Sequence, residues 1–86
     1  VTKVSAILAT IGNDDRDGPY SDVVYSSIDH ELVVRRFKEA VSNYVMENNP
    51  SAVAKFYGAD ELYAEASYDD WNVFASFQIY TFTLSE

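Results

Sequence analysis

Cysteine is absent from the sequence, which removes disulfides, thiolate nucleophiles and Cys-ligated zinc or iron–sulfur sites together. That absence fits a reducing compartment, and a cytoplasmic location is the expectation. Basic residues are scarce, six Lys and Arg against 14 Asp and Glu, for a net charge of −8. A chain so charged is repelled by nucleic-acid phosphates and by anionic lipid, so neither is expected as a direct partner. No apolar run approaches the roughly 18 residues that a membrane span requires. With three glycines and two prolines, the chain has no glycine-rich phosphate cradle and no low-complexity stretch.

What the sequence does contain is enough apolar material to fold. Hydrophobic residues make up 48% and aromatics 15% of its 86 positions, spread along the whole chain. That composition argues against disorder despite the charge. One domain is expected, able to bury roughly 60–65% of the surface of its unfolded chain.

Val4 to Ile11 is continuously apolar and rich in β-branched residues on both faces, the pattern of a strand covered on two sides or placed at an oligomer seam. The acids that follow at once, with no small-residue cleavage pattern, favour a strand over a signal segment. Tyr20 to Ser26 reads as a second strand, antiparallel to the first across a loop at Gly12 to Pro19. Ser26-Ser27-Ile28-Asp29 provides a hydroxyl cap and early acids for a helix. Val33, Val34, Phe37, Ala40, Val41, Tyr44 and Val45 form that helix's apolar stripe. Glu31, Arg35 and Glu39 follow at four-residue spacing, the order that suits an ion-pair ladder.

Asn49-Pro50, with Ala52, Val53 and Phe56 before Gly58, fits a short second helix. Leu62, Ala64 and Ala66 alternate with Tyr63, Glu65 and Ser67 as in a half-buried strand. A tight turn is expected at Asp69-Asp70-Trp71-Asn72, then a long strand from Val73 to Leu84. That strand places Tyr80, Phe82 and Leu84 opposite Val73, Ala75, Phe77 and Ile79, so a bulge must re-aim its end or its far face must be covered. The expected fold is α+β: about four antiparallel strands in the order ββααββ, with a long and a short helix on one face.

Asn13-Asp14-Asp15-Arg16-Asp17-Gly18 matches the first half of a calcium loop, but Val24 stands where the bidentate Glu belongs, so a solvated turn is expected and no metal. His30 is the sole histidine and falls in line with Phe37, Val41 and Tyr44, which suits a packed or hydrogen-bonded residue better than a catalytic base. Asp60-Glu61 and Asp69-Asp70 are adjacent acids of the solvated kind. No catalytic residue and no cofactor are expected.

The acids are unevenly placed. The helix from Ile28 to Asn48 nets about −1, leaving about −7 for the strands and loops. Between residues 60 and 71, carboxylates interleave with large rings: Asp60, Glu61, Tyr63, Glu65, Tyr68, Asp69, Asp70 and Trp71. Tyr and Trp are frequent anchors of protein interfaces, so these eight residues are the candidate partner-binding surface.

Lys3-Val4-Ser5-Ala6-Ile7, Pro19-Tyr20, Arg36-Phe37-Lys38-Glu39-Ala40-Val41, and Asp60-Glu61-Leu62-Tyr63 through Asp69-Asp70 are short pieces spread over most of the chain. In these the chain resembles the small nonstructural proteins of gokushovirus-like single-stranded-DNA phages. The Asn-Asp-rich loop and the long last strand depart from that pattern. The resemblance implies a phage accessory protein acting in the host cell and names no catalytic residue. Together with the acidic, aromatic surface it leads to the expectation of an interaction protein. Such a protein would block a basic, nucleic-acid-binding surface of a host protein, as DNA-mimic and anti-CRISPR inhibitors do. The alternative is a homo-oligomeric single-strand binder or replication accessory, for which only Arg35, Arg36 and Lys38 supply clustered positive charge. A homodimer is possible under either reading.

Overall fold

The computed structural model describes residues 2–12, 20–68 and 73–84. The Asn13–Gly18 segment and the turn expected at Asp69-Asp70-Trp71-Asn72 lie outside the described residues. The elements in chain order are β1 (Thr2–Ile11), β2 (Tyr20–Ser27), α1 (His30–Asn48), β3 (Val53–Tyr57), β4 (Tyr63–Ser67) and β5 (Val73–Leu84). The strands form one sheet, ordered β2-β1-β5-β4-β3, and every neighbouring pair is antiparallel. The α+β class is as expected, but the described residues hold five strands and one helix where the periodicity suggested four and two.

The expected short helix is β3. Ala52 and Phe56 are four apart, a spacing that both a helix and a strand place on one face, and the exposure pattern decides for the strand. Ala54 and Phe56 turn inward while Val53, Lys55 and Tyr57 face solvent. Pro50 serves a turn rather than the first turn of a helix: the Ala52 N–H donates to the Asn49 carbonyl at 2.9 Å, with proline at the position whose φ it presets. Gly58, at φ +92°, then reverses the chain into β4.

The start of α1 also differs. Its cap is the Asp29 carboxylate, which accepts from the Leu32 N–H at 3.2 Å, while Ser27 Oγ accepts from the Asp29 N–H. An aspartate here both satisfies an orphan donor and complements the positive end of the helix dipole. The Glu31–Arg35–Glu39 ladder does not close. The ion pair formed by this helix, among the described residues, runs from Lys38 Nζ to Glu61 Oε2 at 2.6 Å.

Because β2 and β3 are the two edges of the sheet, α1 carries the chain from one edge to the other. Its 19 residues span about 28 Å, enough to cross five strands set about 4.8 Å apart. Val33, Phe37, Val41 and Val45 are buried beneath it, one per turn. Facing them, Ala9, Phe77, Ala64 and Phe56 pair in register as one row across four strands. Small and large residues alternate there, so the rings interlock with the helix. Phe37 meets Phe56 edge-on with centroids 6.0 Å apart, and Tyr44 meets Phe77 in the same way at 5.8 Å. A bulge between Ile7 and Leu8 of β1 and the facing stretch of β2 turns both Val24 and Tyr25 toward this core.

Phe37 is fully buried at the centre of this packing. Phe37→Ala should lower the unfolding free energy by about 3–5 kcal/mol, a large share of what a domain of this size has. Chemical denaturation monitored by circular dichroism measures it, and an unchanged midpoint would reject this helix register.

Candidate interaction surfaces

The structure distributes the five described candidate residues over three places. Asp60 and Glu61 lie in the β3–β4 turn, where Asp60 Oδ1 accepts from the Leu62 N–H. Glu61 adopts a left-handed φ of 57° and is tied to Lys38 on the helix. Tyr63 and Glu65 stand on the outer face of β4, the face away from α1. There the Tyr63 hydroxyl donates to Glu65 Oε2 at 3.1 Å. Lys55 of β3 pairs in register with Glu65. Tyr68 is at the far end of β4, stacked on Phe74 with ring centroids 4.7 Å apart and donating its hydroxyl to Asn49 Oδ1. Asp69, Asp70 and Trp71 lie outside the described residues. The five residues of β4 therefore stand between Asp60-Glu61 and the entry to Asp69-Asp70, a separation of roughly 17 Å.

A different juxtaposition emerges. The Gly12 N–H donates to the Phe74 carbonyl at 2.8 Å, and Ile11 pairs with both Tyr20 and Ala75. The flanks of the two acid-rich connections, residues 13–19 and 69–72, thus meet at one end of the sheet. The C-terminus of α1 joins them there, through the bond from Tyr68 to Asn49 and the bond from the Tyr44 hydroxyl to Asp22 at 3.0 Å. The last turn of α1 holds Glu47 and no basic residue, so the negative end of its dipole is left unbalanced. At the opposite end, Glu61 is neutralised by Lys38.

The outer face of the sheet carries its own message. Along β1 and β5 the outward positions pair as Thr2 with Leu84, Val4 with Phe82, Ala6 with Tyr80 and Leu8 with Gln78. Tyr80, Phe82 and Leu84 are 42%, 46% and 52% exposed, as is Val23 on β2 at 56%. The register between β1 and β5 runs unbroken, so no bulge re-aims the end of β5. Nothing else in the described chain covers it. Glu65 and Lys55, opposite one another, are the only described charged residues on this face, which is consequently neutral. The strand segments are thus not the negative surface that composition suggested. The candidate list missed the β1 and β5 residues, although their apolar pattern on both faces was the available signal.

His30 is a hydrogen-bonded residue, and its partner is a serine. Its Nδ1 lies 2.7 Å from Ser5 Oγ, which is in turn 3.3 Å from Thr81 Oγ1. Ser5 is 2% exposed, so its hydroxyl is out of reach of a substrate, and the bond fastens the first turn of α1 to the centre of the sheet. No group of three or more His, Asp or Glu residues that could hold a metal occurs among the described residues. No described helix is long and apolar enough to cross a membrane. Comparison with protein-family models, with curated proteins and with solved structures finds no significant match.

The Tyr63 hydroxyl is raised above its ordinary pKa of 10.0, first by burial and then by its bond to the Glu65 carboxylate. The neutral phenol is favoured in the folded state, so stability from this site is complete below pH 10 and declines as the pH rises through the folded value. A tyrosinate absorbance titration of the protein and its Tyr63→Phe variant should assign a late-ionising transition to Tyr63, and Glu65→Gln should move that transition to lower pH. No change on that substitution would remove Glu65 as a cause.

Proposed function

We propose that this chain is a small, non-enzymatic interaction protein of the phage-accessory kind. In the host cell it would occupy a basic, nucleic-acid-binding surface of a host protein, as a DNA-mimic or anti-CRISPR-like inhibitor does. The observation that carries this reading is the meeting, at one end of the sheet, of the flanks of both acid-rich connections with an unbalanced helix C-terminus. Asp14, Asp15, Asp17, Asp69 and Asp70 belong to those connections. Charge gathered at one end attracts a groove of Arg and Lys over a distance of order the Debye length, about 8–10 Å, and raises the association rate. The same charge spread evenly would do less.

A second reading has one observation in its favour. Tyr57, Tyr63, Tyr80 and Phe82 lie on an open sheet face, the arrangement on which single-stranded bases stack. A backbone-binding groove also needs clustered cations, and this face offers Lys55, set opposite Glu65.

Affinity capture from the host, followed by kinetics on the captured protein, separates the two readings. Replacing Asp14, Asp15, Asp69 and Asp70 by Asn should slow association severalfold and flatten its salt dependence. Replacing Asp60 and Glu61 by Asn and Gln should leave both within about twofold. Equal effects from the two sets would remove the acidic end as the docking site. Binding of labelled oligothymidine at low salt, lost on Tyr80→Ala, would install the second reading in its place.

A further inference from the structure

We infer that a second copy of this chain covers the outer face of the sheet, giving a face-to-face dimer. Among the described residues a single helix shields one side of five strands, and the other side presents Val4, Leu8, Val23, Tyr80, Phe82 and Leu84 outward with no described charge on β1, β2 or β5. Three considerations select a second copy over another partner.

The first is area. Strands advancing about 3.3 Å per residue and spaced about 4.8 Å apart spread this face over roughly 600 Å². Two such faces reach the total of about 1,200 Å² at which stable interfaces begin. The second is charge. The face is neutral, whereas each copy carries −8, so this is a surface on which two copies can meet without setting acid against acid. A basic partner would find nothing here to attract it. The third is shape. Two copies of one sheet have the same twist and so can pack face to face in the aligned manner of sheet-on-sheet contacts, and an isologous contact needs one patch only. Sheets packed in this way lie about 10 Å apart with outward rings interdigitated.

Charge also selects the orientation. A two-fold axis running across the strands sets the two acidic ends at opposite ends of the dimer, whereas an axis along the strands would place them together. Gln78 is midway along β5, the central strand, and is exposed on this face. In either orientation it lies near the axis and faces its own symmetry mate.

The chain has no cysteine, so single-cysteine variants report on this contact without background. Sedimentation of the 86-residue chain at about 100 µM should give twice its mass of 9.7 kDa. Gln78→Cys should cross-link under mild oxidation, and Ser51→Cys, exposed outside this face, should not. Phe82→Lys is made at an exposed position and should keep the fold by circular dichroism while weakening the dimer more than tenfold. A sedimenting monomer would overturn the proposal. So would a dimer that survives Phe82→Lys with no Gln78→Cys cross-link, since the contact would then lie on another surface.

Discussion

Among the described residues, one helix must serve a sheet of five strands. That limit shapes the rest of the molecule, because β1 and β5 at the centre of the sheet are apolar on both faces while α1 can lie against only one. On the covered side the demand is met in full: Phe37 and Val41 are buried against alanines and phenylalanines that alternate across the strands. On the other side it is left open. Tyr80, Phe82 and Leu84 are about half exposed, so each forgoes part of the roughly 1.5–3 kcal/mol that full burial of a large apolar side chain gives. An uncharged row of them is the kind of surface that association can complete, and it is the ground for the proposed dimer.

The placement of charge follows from the same limit. Within α1, Glu31, Glu39 and Glu47 are offset by Arg35, Arg36 and Lys38, and on the outer face Glu65 is offset by Lys55. The excess of acid is pushed into the connections and strand ends. Two of those connections begin and end beside the C-terminus of α1, where the dipole adds to their potential. Under the two proposals, the apolar neutral face serves association with like and the acidic end attracts a basic partner. Their separation also keeps the self-repulsion of a −8 chain away from the contact.

Much of this was legible in residue order. The stripe from Val33 to Val45 specified α1 and its buried face, and the two-sided apolar pattern from Val4 to Ile11 specified a strand, either covered on both faces or set at an oligomer seam. Three features were hidden. Ala52 and Phe56 satisfy helix and strand periods alike, so β3 passed as a helix until its neighbours were in place. Asp60-Glu61 and Tyr68 are close in sequence, yet the length of β4 sets them at its opposite ends. The meeting of residues 12 and 74 depends on the pairing of the first and last strands, a contact between positions far apart in the chain. No local pattern encodes it.

The central claim is that the face bearing Val4, Tyr80 and Phe82 is an interface between two copies. The most direct measurement is an isotope-filtered nuclear Overhauser spectrum on a mixture of labelled and unlabelled chains, which records only contacts between copies. The account predicts cross-copy signals among the methyls of Val4, Leu8 and Leu84 and the rings of Tyr80 and Phe82, with none from the exposed methyl of Met46 on α1. Cross-copy signals confined to α1 or to the β2 and β3 edges, or no such signals at millimolar concentration, would contradict it.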